Sequence, residues 1–434
     1  MKKKLLLTMM MSLLLLVVAA CSSSSGEGKK EETGGEGKPV EIEFWYGLGS
    51  EADKKMKEII QGFNDSQDDY VVKAVPQASY DETYQKLQAA IASKTAPGVF
   101  ITGGAQMHDL ASKQAITPLN EYLAEDVKEE DFLDVFIAPT KMDGQYYGLP
   151  AYGTTQVMYY RKDLYEQAGI DPKEAFSSWE NLAKASKEMQ QKGLVDYGHL
   201  PMWNQNNLID LALSNGGSIL NEDGTKVMID SEAWVQSWEF IRKQIHEEKT
   251  MKVNAGGQGW EYWYKTIDEV MTGSAAGYTG SSGDKGNLDF EKIDSTMQPG
   301  LNGNEGKPVV DGLFMAVPES VSDEEKEAAV AWMNYFTSPE VNADWAKAIG
   351  YIPVKHSAME VPEYAAFIEE NPYAGVPFEQ AQVGTPGFID PTGGKIFDAL
   401  SIAADKVELE NVPAEKALKE ADKVAQKALD EVNK

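Results

Sequence analysis

Val40, Ile42, Phe44 and Tyr46 alternate with Glu41, Glu43 and Trp45, a period-two pattern that predicts a strand ending at Gly47. Ala52, Met56, Ile59, Ile60 and Phe63 then recur at helical spacing, behind a Ser50 and Asp53 pair that can form a capping box. Tyr70 to Val75 predicts a second strand stopped by Pro76, and Glu82 to Ser93 a second helix. Gly98 to Thr102 is a short apolar run of the kind buried in a parallel sheet. The order is βαβαβ, which places the chain in the α/β class. Open sheets of this kind bind ligands outside the carboxyl ends of their strands, here the loops Tyr46 to Gly49 and Gly103 to Gln106. Farther along, Asp223-Gly224 sits between strand-like flanks from Ile219 to Ile229 and predicts a hairpin. Asp323 to Phe336 and Ala414 to Leu429 are amphipathic helices, the second opening with Pro413 at a favourable first position. There is no internal repeat.

The N-terminus departs from this alternation. Lys2, Lys3 and Lys4 precede an apolar run of 14 residues, Leu5 to Val18. That is shorter than the ~20 residues of a spanning helix, and small residues follow it, as in a secretory signal. The sequence Val18-Ala19-Ala20-Cys21 resembles the lipobox of bacterial lipoproteins, in which the Cys is lipidated and becomes the first mature residue; the plain alternative is a cut after Ala20 with Cys21 incidental. Cys21 is the only cysteine. Residues 21–39 hold Ser, Gly, Glu and Lys almost without apolar side chains and read as a flexible tether. No later stretch is long and apolar enough to span a membrane.

Of 434 residues, 40 are Lys or Arg and 69 are Asp or Glu, a formal charge of −29. Cleavage after residue 20 removes Lys2, Lys3 and Lys4 and takes the charge to −32. Nucleic acid is excluded as a partner, and membrane contact is confined to the lipid anchor. With one Cys, neither a disulfide framework nor a thiolate zinc site can be built, the four His are scattered without ligand spacing, and no cofactor is expected. The chain has no G-x-S-x-G, no G-x-x-x-x-G-K-[ST] and no H-E-x-x-H. Carboxylate pairs for glycoside hydrolysis can be chosen at will among so many acids, so they carry no signal. What stands out is aromatic: nine Trp and 19 Tyr, several beside amides, as at Trp203-Asn204-Gln205-Asn206-Asn207 and at Trp260, Tyr262 and Trp263 after a glycine pair. Flat rings stack on the C–H face of a sugar while Asn and Gln pair with its hydroxyls.

Six ordered segments extend the picture: Phe44-Trp45-Tyr46; Thr95-Ala96-Pro97-Gly98-Val99-Phe100; Gly148-Leu149-Pro150 with Val157 to Leu164 and Ser178-Trp179-Glu180; Asp311 to Pro318; Ser338-Pro339-Glu340; and Gly350-Tyr351-Ile352-Pro353. Together they resemble the family 1 extracellular solute-binding proteins of ABC importers. The resemblance implies a periplasmic-binding-protein-like fold, two α/β lobes with interleaved crossovers around a central ligand cleft. The first lobe would hold 40–150 plus 308–352, the second 151–307 plus 353–434. It implies a non-enzymatic, monomeric protein, lipid-anchored outside the cell, whose partners are a small carbohydrate and ABC permease subunits with a cytoplasmic ATPase.

Within the family the glycerol-3-phosphate and oligosaccharide branches look most similar. Tyr80, Ser281 or Ser282, Gly312 and Tyr351 fall where the glycerol-phosphate branch contacts ligand. Tyr46 and Gln106 at the strand ends, Thr154 at the crossing, Asp311, Trp203 and Trp260 complete the candidates. Each has a plain alternative: Tyr351 can staple the hinge, Tyr80 can pack at a helix start, Gln106 can cap a helix, and the serines can form a turn. Two departures weigh against phosphate. Gly103-Gly104 stands where that branch places a carboxylate, and near its C-terminal Arg this chain offers only Lys395. Phosphate wants a fixed cation or a fork of donors. The expected ligand is a neutral mono- or oligosaccharide, with a phosphorylated polyol next and a surface glycosidase or adhesin behind both.

Overall fold

In β1 (Val40–Tyr46) the alternation does what it predicts: Ile42, Phe44 and Tyr46 are buried, while Glu41 and Glu43 face water. The structure, a computed structural model, describes residues 38–123 and 128–434; the predicted signal segment, Cys21 and nearly all of the tether lie outside the described residues. Helix α1 (Ser50–Ser66) lays Met56, Ile59, Ile60 and Phe63 onto the sheet, and its N-cap is Gly49 in place of the predicted Ser50 box. Strand β2 (Tyr70–Pro76) runs parallel to β1 from the Val40–Tyr70 pair to the Tyr46–Pro76 pair. Helix α2 (Tyr80–Ser93) starts earlier than its apolar pattern predicts, because Ser79 caps it by accepting from the Glu82 N–H at 3.2 Å. Strand β3 (Val99–Gly103), parallel to β1, and α3 (Gly104–Ser112) complete the βαβαβ unit. The Asp223-Gly224 segment forms a turn closed by an isolated Leu220–Val227 bridge.

The 13-residue strand β4 (Leu149–Arg161) comes next in the sheet. Along the chain follow α4 (Gln205–Ser214), α5 (Glu261–Thr272), β5 (Gly277–Ser281), β6 (Ile293–Thr296) and β7 (Val309–Ala316). The first half of β4 pairs antiparallel with β7, and its second half pairs antiparallel with β5 and β6. The sheet order is therefore β2-β1-β3-β7-β4-β5, with β6 also on β4. The last elements are α6 (Asp323–Phe336), α7 (Pro339–Ile349), α8 (Lys395–Glu408) and α9 (Ala414–Val432), of which α6 matches its predicted bounds.

Two large apolar cores draw on different halves of this strand, one on Leu149, Ala151 and Tyr152 and the other on Met158. One gathers Ile42, Phe44, Phe63, Trp332 and Trp345; the other gathers Trp179, Trp234, Trp238 and the inward faces of α8 and α9. Gly153 stands at the junction. It pairs with Gly312 of β7 and also exchanges two backbone hydrogen bonds with Ile352, each 2.8 Å. A Cβ on Gly153 would run into the fully buried Phe136 ring. Gly153→Ala is thus expected to lower stability by about 1–3 kcal/mol through overpacking. Chemical denaturation checks this, and a second change, Phe136→Leu, should recover part of the loss.

Candidate functional site

A cavity of about 1560 Å³ opens at the junction. The carboxyl ends of β1 and β3 deliver Gly47, Gly49 and Gly103 to Gln106 to one wall, and the start of α2 adds Ser79, Tyr80 and Asp81. The facing wall comes from the loop before α4, the start of α5 and the turn after β5, which carry Trp203, Trp260, Tyr262 to Tyr264, Ser281, Gly283 and Asp284. Thr154 to Gln156 of β4, Asp311 of β7 and Tyr351 form the floor.

The floor is held by stacked phenols. The Tyr152 and Tyr351 rings lie 4.4 Å apart at 20°, with the buried Trp345 ring against both. The hydroxyls of Tyr80 and Tyr152 meet at 2.7 Å. Burial pushes the ionisation of Tyr80, Tyr152 and Tyr351 well above the usual phenol range, so all three stay neutral donors and acceptors. Tyr351 reaches across onto Gly283, where any Cβ would strike its ring.

The facing wall is an aromatic nest. Trp203 meets Tyr262 edge-on at 5.1 Å, Trp260 lies 5.7 Å from Trp263, and Tyr80 approaches Trp260 edge-on at 6.2 Å across the cleft. Trp203 Nε1 donates to Asp405 at 2.8 Å, and Trp263 Nε1 donates to Asp284 at 2.7 Å. Trp260 Nε1 is buried and has no partner. Asn204, beside Trp203, sits at φ 116°, ψ 179°, a region that costs a non-glycine residue about 1–3 kcal/mol. It is held there by capping α4, its Oδ1 accepting from Asn206 N–H at 2.8 Å, and by its own N–H donating to buried Glu408 at 3.4 Å.

The charge around the cavity is one-sided. Seven aspartates line it (Asp81, Asp109, Asp210, Asp284, Asp311, Asp398 and Asp405) against one basic side chain, Lys307. Burial among protein walls raises Asp311 to about 6 and Asp284 to about 7, the latter against the opposing pull of its bonds from Trp263 and Tyr278. Lys395 does not border the cavity; its Nζ faces Glu431 at 3.7 Å. The N-terminus of α8 is occupied by the chain's own Asp390, which accepts from Ile396 N–H at 2.9 Å and Phe397 N–H at 3.2 Å. Among the described residues no group of three or more His, Cys, Asp or Glu could hold a metal ion.

Of the residues the sequence singled out, Tyr80, Gln106, Thr154, Trp203, Trp260, Ser281, Asp311 and Tyr351 come together on this cavity. Tyr46, Ser282 and Gly312 lie behind its walls. Tyr46 is fully buried and donates to Asp53 at 2.9 Å; Ser282 is 1% exposed; Gly312 is packed against Phe314 within the sheet. Sequence reasoning passed over Tyr152, Asp284 and the cavity face of α8, whose roles come from contacts far apart in the chain.

Residues 58–372 match the family described as bacterial extracellular solute-binding protein. The chain belongs to that family. Solute-binding proteins of this kind capture substrate for ABC importers outside the cytoplasm, and the chain does the same. It is similar to the sn-glycerol-3-phosphate-binding periplasmic protein UgpB of Yersinia pestis, 25% identical over 368 residues, covering 79% of this chain and 80% of that one. The fold matches the GacH receptor of Streptomyces glaucescens, solved unliganded and with acarbose, at TM-score 0.81 and 19% identity, over 90% of this chain and 99% of that one. It also matches UgpB of Mycobacterium tuberculosis bound to glycerophosphocholine, at TM-score 0.79 and 22% identity, over 92% and 99%. The α/β, periplasmic-binding-protein-like fold expected from the sequence is the fold of these proteins.

The buried acid of this solute-binding protein makes its stability depend on pH. Folded Asp284 keeps its proton up to about pH 7, whereas an unfolded Asp releases it near about 3.9. Between those values the native state binds more protons, so stability falls as pH rises through the window and is level above it. Asp284→Asn stays neutral throughout. Its melting temperature, scanned across the window, should match the parent at the acid end and exceed it increasingly toward the neutral end; parallel curves would refute the assignment.

Proposed function

We propose that the chain captures a neutral mono- or oligosaccharide by closing two lobes over it and hands it to ABC permease subunits driven by a cytoplasmic ATPase, without chemical change to the sugar. The observation that carries this reading is the pairing of an aromatic wall, with its unpartnered Trp260 N–H, and a cavity ringed by seven aspartates and a single lysine. Carboxylates accept from sugar hydroxyls, and indole faces stack on the rings. The same carboxylates repel a phosphate, which here would find no guanidinium fork. The lobes are 40–150 plus 308–352 and 151–307 plus 353–434, a division supported by two cores that draw on different halves of β4. Residues 1–20 are the signal peptide and Cys21 carries the lipid, so that a monomer hangs from the outer face of the membrane by its tether; the support is the lipobox-like Val18-Ala19-Ala20-Cys21.

A phosphorylated polyol is the second reading. It is favoured by the glycerol-phosphate names of the curated relatives and by two helix N-termini, α1 at Gly49 and α3 at Gly103, that open on the cavity without side-chain caps.

Thermal unfolding of the full chain with a saccharide panel and with glycerol 3-phosphate separates the two. A bound ligand at about a hundred times its Kd stabilises by about 2.7 kcal/mol. A neutral saccharide should raise the melting temperature and glycerol 3-phosphate should not; the reverse pattern overturns the saccharide reading. Trp260→Ala should weaken saccharide binding at least about tenfold, the loss expected of a central aromatic anchor, as read by calorimetric titration.

A further inference from the structure

Strand β2 ends the main sheet: it pairs with β1 on one side and, among the described residues, with no strand on the other. Such an edge carries a row of backbone N–H and C=O groups that another chain can pair with. The flanking bonds show which residues point outward. Asp69 C=O accepts from Val40 N–H at 2.9 Å, and Gln77 N–H donates to Tyr46 C=O at 2.8 Å, so both face β1. Direction alternates along a strand, so Val71, Lys73 and Val75 face β1 as well, and Tyr70, Val72, Ala74 and Pro76 face away from it.

The usual safeguards of an edge are thin here. The run Tyr70-Val71-Val72-Lys73-Ala74-Val75 is rich in strand-forming residues. Its one charge, Lys73, is paired with Glu41 of β1 at 2.6 Å, and Pro76 closes only the last position.

The outward groups are met instead by two side-chain amides from the end of α1. Asn64 Oδ1 accepts from Val72 N–H at 2.9 Å, and Asn64 Nδ2 donates to Val72 C=O at 3.0 Å. Gln67 does the same for Tyr70: its Oε1 accepts from Tyr70 N–H at 2.7 Å and its Nε2 donates to Tyr70 C=O at 2.8 Å. A primary amide offers the donor and acceptor of a peptide unit, so each side chain stands in for one residue of a neighbouring strand. Without them the edge would fit itself. In an antiparallel pairing of two copies centred on Val72, each Tyr70 meets Ala74 of the other copy, and the outward N–H and C=O groups are exchanged as far as Pro76.

We propose that Asn64 and Gln67 are a built-in block on strand addition, occupying the outer edge of β2 so that a second copy of the chain cannot join it there. The edge is an interface between copies that the fold holds shut, and the block acts whatever ligand fills the cavity.

The double variant Asn64→Leu, Gln67→Leu removes both amides and keeps side-chain bulk. Sedimentation velocity of the full chain over a hundredfold range of concentration should show the parent as one species and the double variant associating at least tenfold more tightly. Adding Ala74→Pro, which takes away only an outward N–H, should return the double variant to the parent's behaviour. A folded double variant that sediments like the parent overturns the proposal. So does association that Ala74→Pro leaves in place. If the double variant does not fold, hydrogen exchange on the unaltered chain decides. Corrected for intrinsic rates, the Tyr70 and Val72 amides should exchange at least tenfold more slowly than the Ala74 amide, and equal rates overturn the block.

Discussion

Gly153 is paired on two sides at once, with Gly312 of β7 and with Ile352, while the Phe136 ring covers the place where a side chain would stand. Three passes of the chain therefore meet at one residue. Everything that forms the cavity floor hangs from this junction: Thr154 and Gln156 follow Gly153 on β4, Asp311 precedes Gly312 on β7, and Tyr351 precedes Ile352. The close approach explains why two glycines face each other in a sheet interior, where glycine is ordinarily unfavourable. It also explains how a floor assembled from three distant segments can keep a fixed geometry.

The walls differ in kind. The first is built from the carboxyl ends of parallel strands and helix starts, so it presents backbone N–H groups and small side chains. The second presents large rings whose polar ends are tied back to carboxylates, Trp203 to Asp405 and Trp263 to Asp284. Those bonds fix the rings before any ligand arrives, which lowers the ordering cost of binding. Asn204 shows the same economy in reverse: a strained backbone is kept because α4 and Glu408 over-determine it, and the strain places Trp203 at the cavity edge.

Much of this is legible from local pattern. Period-two alternation finds β1, helical spacing finds α1 and α6, and aromatic residues in amide-rich or glycine-flanked loops point to Trp203 and Trp260. The same alternation explains the behaviour of Tyr46: it falls in phase with Ile42 and Phe44, so the pleat turns it into the core and not toward the ligand side. Ser281 and Ser282 are adjacent, yet only the first borders the cavity, because consecutive residues leave the strand end in different directions. Tyr152 and the cavity face of α8 leave no local trace. Tyr152 matters through Tyr80 and Tyr351, and the cavity face of α8 through Asp405, which accepts from Trp203, partners that only the crossed topology brings near.

A crystal structure of the chain grown with its tightest-binding oligosaccharide tests this account most directly. It should show a sugar ring against the face of Trp260 or Tyr262, a ligand oxygen accepting from Trp260 Nε1, and hydroxyls donating to Asp311 above the Gly153 junction. A saccharide bound outside the cavity, or within it without touching these groups, would contradict the account.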